Sequence, residues 1–373
     1  MKIYMNNAAT SFPKPACVSD AVRDANLALP GTANRAGIED CNVFDDCRKQ
    51  LSSLLHTSVS DRIVLLPNAT AGLNFALFGF GWRDGDVAVT SLAEHNSVLR
   101  PLYELERRGV IKTVFVRTDS GGRIDVDEWR RAIADNHPRM CVFTHASNVT
   151  GAVNDAELLC SAAKQYGATT LLDASQTLGI EPVRPNTFGA DMVAFTGHKY
   201  LLGPQGSGGL YVGEDVQLRP TLFGGTGIWS NLETMPDNYP QHLEAGTGNE
   251  TSFAGLSAAL RWNSENSALP GEISSRTSRL REGLRDCGAD VIDPGGSCTP
   301  VVSFIINGWS CEDAGFVLGS RYDIICPTGM HIAPKIFECL QYSNKGTVRL
   351  SLSRFTTNEE IDVAIGAVRD LLS

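Results

Sequence analysis

Asp191-Met-Val-Ala-Phe-Thr-Gly-His-Lys-Tyr-Leu-Leu-Gly-Pro-Gln-Gly-Ser-Gly-Gly-Leu-Tyr-Val212 is the stretch on which the reading of this chain turns. An apolar strand, Met192 to Phe195, runs into Thr196, Gly197, His198 and Lys199. Four glycines follow within seven residues, at 203, 206, 208 and 209, and a second strand spans Gly209 to Val212. Lys199 is the residue out of place. A lysine between a buried strand and a glycine-rich turn has a poor route to bulk water, and desolvation lowers its pKa toward that of a usable amine nucleophile. The stretch also accommodates a plain solvated lysine, and by itself does not separate the two. A desolvated amine can condense with an aldehyde, and Thr196 and His198, two hydrogen-bonding side chains flanking a glycine, suit a phosphate beside it.

Upstream, strands alternate with helices. Ile63 to Leu66 leads into Pro67-Asn68-Ala69-Thr70-Ala71-Gly72 and a helix; Asp86 to Thr90 ends near His95; Met140 to Thr144 leads to Asn148; and Thr169 to Leu172 ends at Asp173. That order predicts an α/β unit with a mostly parallel sheet, whose strand ends are where open sheets bind ligands. Thr70 with the amides of Ala71 and its neighbours makes an anion site at a helix N-terminus, or else a simple N-cap. His95 reads as a ligand-facing or a structural histidine. Asp173, directly after a buried run, needs a cationic or hydrogen-bonding partner, and a protonated pyridine nitrogen is one such partner. A histidine, an asparagine, a carboxylate and a lysine at four strand ends are hard to explain as core packing.

The 373 residues suit a large domain, 15–250, with a smaller α+β domain made from 1–14 and 251–373. A formal charge of −10 without basic runs argues against nucleic-acid or anionic-membrane surfaces. Ten cysteines without zinc-like spacing read as reduced, mostly buried thiols and no metal site, and with no leader or spanning segment apparent the expected location is cytoplasmic. The glycines after Lys199 lack the spacing of a nicotinamide-binding loop.

Taken together, Asn7-Ala8-Ala9-Thr10 with Pro13-Lys14-Pro15, Glu94-His95-Asn96-Ser97, Ser147 to Gly151, Asp173 to Gln176, Thr196 to Lys199, Leu243 to Thr247 and Gly346 to Ser351 span nearly the whole chain. With these blocks in this order the chain resembles the class V aminotransferases, and among them the cysteine desulfurase and selenocysteine lyase group. The resemblance implies the type I fold of the pyridoxal 5'-phosphate (PLP) enzymes, PLP as cofactor, a small amino-acid substrate and a homodimer. It implies Lys199 as the Schiff-base lysine, His95 as the ring-stacking histidine and Asp173 as the partner of the pyridine nitrogen. Gln176 then faces the phenolic oxygen, Asn148 lies near substrate and cofactor, and Thr70, Ala71, Thr196 and His198 surround the phosphate. Thr226 reaches in from a second subunit, and Arg349 grips the substrate carboxylate.

The sequence departs from that pattern at the nucleophile. The desulfurase loop reads Arg-x-Gly-x-His-Cys-Ala-Pro; here it is Pro327-Thr328-Gly329-Met330-His331-Ile332-Ala333-Pro334, with Ile332 in place of the sulfur-accepting cysteine and Pro327 in place of the arginine. Asn6 replaces an aspartate and Ile38 a histidine. These changes remove charge or nucleophilicity around the substrate, not the cofactor. The expectation is a PLP enzyme that breaks a C–S bond by β-elimination. The alternatives are a desulfurase using another thiol such as Cys326, an aminotransferase, epimerase or decarboxylase on a specialised amino acid, and a non-catalytic homologue.

Overall fold

The computed structural model describes residues 2–29, 42–266, 270–340 and 346–373. The expected Gly31–Gly37 turn and Ile38 lie outside the described residues.

Seven strands form the main sheet: β2 (Ile63–Leu66), β3 (Asp86–Ser91), β4 (Ile111–Val116), β5 (Met140–Thr144), β6 (Thr169–Asp173), β7 (Met192–Thr196) and β8 (Gly208–Val212), after a short β1 (Ile3–Tyr4) that belongs elsewhere. Their spatial order is β2-β8-β7-β6-β5-β3-β4. All neighbours run parallel except β8, which is antiparallel to both β2 and β7. Every residue of β2, β5, β7 and β8 is buried, the signature of a sheet covered on both faces.

The period of two in a strand divides the side chains between two cores. Ile63, Leu65, Phe143, Val193 and Phe195 enter one, which α2 (Val43–Leu54), α5 (Val126–Asn136), α6 (Ala156–Lys164) and α8 (Glu250–Glu265) help to cover. Val64, Leu66, Val142, Met192 and Ala194 enter the other, under α3 (Ala69–Gly79) and α4 (Asn96–Arg107). The helix α1 (Ala16–Leu27) packs on α8, and a short α7 (Pro185–Phe188) precedes β7. The expected boundary at 250/251 would give α8 to the smaller unit. Its Phe253, Leu256 and Leu260 lie instead in the same core as Phe143 and Phe195.

A second, four-stranded sheet in the order β12-β13-β10-β9 is antiparallel throughout: β9 (Asp290–Val291), β10 (Val301–Ile305), β12 (Thr328–Gly329) and β13 (Thr347–Ser351). It shares an apolar core with α9 (Pro270–Asp286), α10 (Cys311–Tyr322) and α11 (Asn358–Leu372), and with Ile3 and Met5 from the N-terminus. The strand β1 pairs with β11 (Ile324–Ile325), so the first residues are tied to this second unit. A fourth, smaller cluster joins the units: Ala93 and Val149, beyond β3 and β5, pack with Ala333, Ile336 and Phe337. The 330–333 turn is thereby held over the carboxyl ends of the main sheet.

Candidate active site

The parallel strands end at one level, with Thr144 beside Asp173 and Asp173 beside Ala194. A cleft of about 670 Å³ opens above that edge. Thr70, His95, Asn148, Asp173, Gln176, Thr196, His198, Lys199 and Arg349 all border it. Two expected residues do not. Ala71 lies one residue further into α3, and its amide donates to the Asn68 side chain, which caps that helix. Thr226 sits on the loop after β8, its hydroxyl donating to the Ile228 carbonyl.

Glycines allow this convergence. A Cβ on Gly208 would lie 2.7 Å from both Asn68 Cα and the Phe195 carbonyl oxygen, so the close passage of β8 against the start of α3 requires its absence.

Lys199 follows β7 on a turn closed by the Leu202 amide donating to the Lys199 carbonyl. Burial draws its pKa down to about 8; the Asp173 charge opposes that shift and Arg349 reinforces it. About a tenth of the amine is therefore free base at pH 7, far more than for an ordinary lysine. Asp173 accepts at Oδ1 from the Ser175 amide (2.9 Å) and hydroxyl (2.5 Å). Its carboxylate is thus fixed at the strand end by the residue two positions on.

His95 caps α4, its Nδ1 accepting from the Ser97 amide at 3.1 Å. Burial first, then the charge of Lys199, lowers its pKa to about 4. The ring is neutral at pH 7, and with Nδ1 an acceptor the proton belongs on Nε2. The Ser97 hydroxyl lies 2.8 Å from both His95 Nδ1 and Thr70 Oγ1. Beneath this group Glu94 Oε1 accepts from the Ser91 hydroxyl (2.5 Å) and the Thr144 amide (3.1 Å), pinning the end of β3 to that of β5, and burial raises its pKa to about 8.

Arg349, on β13, crosses from the second unit. It donates through Nη1 to the Asn148 carbonyl (2.8 Å) and through Nη2 to Asn6 Oδ1 (3.2 Å). Burial lowers its pKa to about 10, which leaves it charged at pH 7. Both recorded partners are neutral, so the guanidinium keeps a full positive charge for an incoming carboxylate. Asn148 in turn donates through Nδ2 to the His331 carbonyl at 2.7 Å.

The 330–333 turn is strained. His331 and Ile332 have φ of +50° and +60°, and for a β-branched residue that left-handed backbone costs about 1–2 kcal/mol. The turn persists because it is clamped: the Asn96 amide donates to the Ile332 carbonyl (2.9 Å), and His331 Nε2 lies 2.9 Å from Thr347 Oγ1. Ile332 borders the cleft, whereas Cys326 packs against the core of the second unit, where burial raises its thiol pKa to about 12.

Asn68, Ser97, Ser175 and Asn6 also shape the site, each through a hydrogen bond to one of the expected residues or its neighbour. Asn6 was marked only as a departure from the family's aspartate, and the other three were noticed only as parts of quoted stretches, because a supporting serine or asparagine has no spacing of its own. Among the described residues no group of His, Cys, Asp or Glu is arranged to hold a metal ion.

A large, mostly parallel sheet with a lysine, an acid and a histidine at its carboxyl edge, and a smaller unit lending an arginine, is the type I fold of the PLP-dependent enzymes. The chain belongs to the aminotransferase class-V family, which it matches over residues 3–363. It is 30% identical to a probable cysteine desulfurase of Methanothermobacter thermautotrophicus, over 97% of this chain and 92% of that one. It is 31% identical to probable cysteine desulfurase 2 of Mycobacterium leprae, over 98% and 90% respectively. Among solved structures, the apo cysteine desulfurase of Thermococcus onnurineus NA1 superimposes with a TM-score of 0.91 at 27% identity, covering 100% of this chain and 94% of that one.

The residues present fit the cofactor that the fold implies. Thr196 Oγ1, His198 Nδ1 and Gln176 Oε1 are buried polar atoms without a protein partner among the described residues, and all three side chains border the cleft. Leaving such atoms unpaired is costly unless a ligand satisfies them.

Proposed function

We propose that this enzyme uses PLP to cleave a C–S bond of an amino acid by β-elimination, without a protein thiol taking part. The observation that carries the reading is the lining of the cleft: Ile332, which the resemblance sets where desulfurases carry their nucleophile, borders the space, and among the described residues no cysteine does. Isoleucine cannot attack sulfur. Cys326 is half-buried against another core, with a thiol that stays protonated at neutral pH.

When bound, PLP supplies an aldehyde for an amine and a ring that accepts the electron pair left at Cα. The chain's own residues do the rest. Lys199 would hold the coenzyme and then, freed by substrate, take the Cα proton, a task suited to an amine with its pKa near 8. Asp173 would keep a proton on the pyridine nitrogen. His95, neutral, would lie against the ring without adding charge, and Gln176 would face its oxygen. Thr70, Thr196 and His198 would hold the phosphate. Arg349, with Asn148 beside it, would grip the substrate carboxylate and so orient the bonds at Cα. Thr226 would complete the phosphate site of a second copy in a homodimer, and the same reading places the enzyme in the cytoplasm.

The product test is direct. Supplied with an S-substituted cysteine and PLP, the enzyme forms pyruvate and ammonia in equal amounts, and Lys199→Ala abolishes both. Alanine with a protein persulfide, formed from cysteine, would instead mark a desulfurase working through another thiol.

A further inference from the structure

We infer that the 327–332 segment is an apolar subsite for the leaving group, and that the substrates this site selects are thioether amino acids of the S-alkyl or S-aryl cysteine class. The inference rests on the elimination reading above and adds which sulfur substituent is taken. Ile332 is 59% exposed although it is a large aliphatic residue, and it is held at a positive φ that isoleucine resists. Its side chain therefore gains little from core burial, and its backbone opposes the conformation; what the arrangement achieves is to present a branched apolar group at the cleft. An observed backbone outlier of this kind is a sound starting point for a functional assignment. Met330, 37% exposed, borders the cleft beside it, and a thioether side chain adapts to varied shapes and makes favourable contacts with sulfur and aromatic groups. Pro327 and Thr328 complete the strip.

No residue from 327 to 332 carries a formal charge except through His331, whose ring is buried, hydrogen-bonded to Thr347 and neutral at pH 7. With the substrate carboxylate on Arg349 and Cα within reach of Lys199, the remaining substituent has this strip as its uncharged wall. A leaving group with its own ammonium and carboxylate, such as the second half of cystine, would lose hydration there without gaining a partner. An alkyl or aryl group would bury apolar area against Ile332 and Met330.

The step balances without an oxidant. The Cα–H and Cβ–S bonds break, a C=C bond forms, and the sulfur leaves as thiolate and takes up a proton. The released 2-aminoacrylate is hydrolysed by one water, so that thioether amino acid and water give thiol, pyruvate and ammonium.

The test compares kcat/KM for S-butylcysteine and S-methylcysteine, read as pyruvate and free thiol, in the PLP-loaded parent, Ile332→Asp and Met330→Ser. Because the ratio is internal to each preparation, partial misfolding of a variant leaves it unaltered. The parent is expected to favour the butyl substrate by about tenfold, a modest share of what three further methylenes yield in a closed pocket. Ile332→Asp brings the ratio to about one, and Met330→Ser reduces it by about half. A parent ratio near one, or a preference unchanged in Ile332→Asp, overturns the subsite while leaving elimination standing. If no thioether yields pyruvate and cysteine yields alanine with a persulfide, the underlying reaction is wrong, and the subsite falls with it.

Discussion

Lys199 and Ile332 are the two residues on which the chemistry depends, and each makes a prediction of its own. With its pKa drawn down to about 8 by burial, the Lys199 amine of coenzyme-free protein gains reactivity about tenfold per pH unit only up to that pH and then levels off. An ordinary lysine continues to gain up to 10.5. Following modification of Lys199 by an amine-directed reagent, peptide by peptide from pH 6 to 10, checks this; a profile still rising at pH 10 would contradict it. Ile332→Gly relieves a strain of about 1–2 kcal/mol and returns up to about 1 kcal/mol of it through glycine's added freedom in the unfolded chain, so denaturant unfolding should show no loss. A loss above about 1 kcal/mol would mean that the isoleucine is packed, not presented. Residues at this scale were unevenly legible from sequence. Asp173 announces itself, because a carboxylate at the end of a buried strand has few ordinary explanations; Lys199 alone was open between a desolvated and a solvated reading, and Arg349, in the middle of β13, came only through the resemblance. Ser97 and Asn6 do not, since a hydroxyl or an amide acquires meaning only from the atom it faces.

At the scale of elements, the main sheet was readable because its strands are apolar on both faces and each is followed by a polar strand end. The passage of β8 against α3 was not, since no local pattern tells which helix a glycine strand will touch. The Gly208→Ala protein tests that contact. Its new methyl would meet backbone atoms at 2.7 Å, which cannot rotate away, and the expected loss is about 1–3 kcal/mol with weakened PLP binding. Gly81→Ala, whose Cβ meets nothing within 4 Å, is the control and should change stability by less than about 0.5 kcal/mol. Equal stabilities for the two variants would show that the close approach is not a constraint. The position of α8 was misjudged in the sequence for a related reason: its apolar residues fit either core, and only the packing of Phe253 and Leu256 beside Phe195 decides between them.

For the whole molecule, the proposed homodimer would account for two features together. Thr226 lies apart from the cleft of its own chain, and the segment around it exposes Leu222, Phe223, Ile228, Trp229 and Leu232, more apolar surface than a loop ordinarily leaves to water. Light scattering is expected to give twice the chain mass, and Phe223→Glu with Trp229→Glu to shift the protein toward monomer with loss of PLP affinity; a monomeric parent would refute the shared site. No described helix is long and apolar enough to cross a membrane. The central claim, that the coenzyme is held by the amine of Lys199, is tested most directly by borohydride reduction of PLP-loaded protein followed by peptide mass analysis. Lys14 provides an internal comparison: burial lowers its pKa to about 8 as well, but its Nζ is engaged by Ser11 Oγ at 2.9 Å and it borders a different groove. The account predicts one pyridoxyl group per chain, on Lys199; the label on Lys14, or spread over surface lysines with Lys199 untouched, would contradict it.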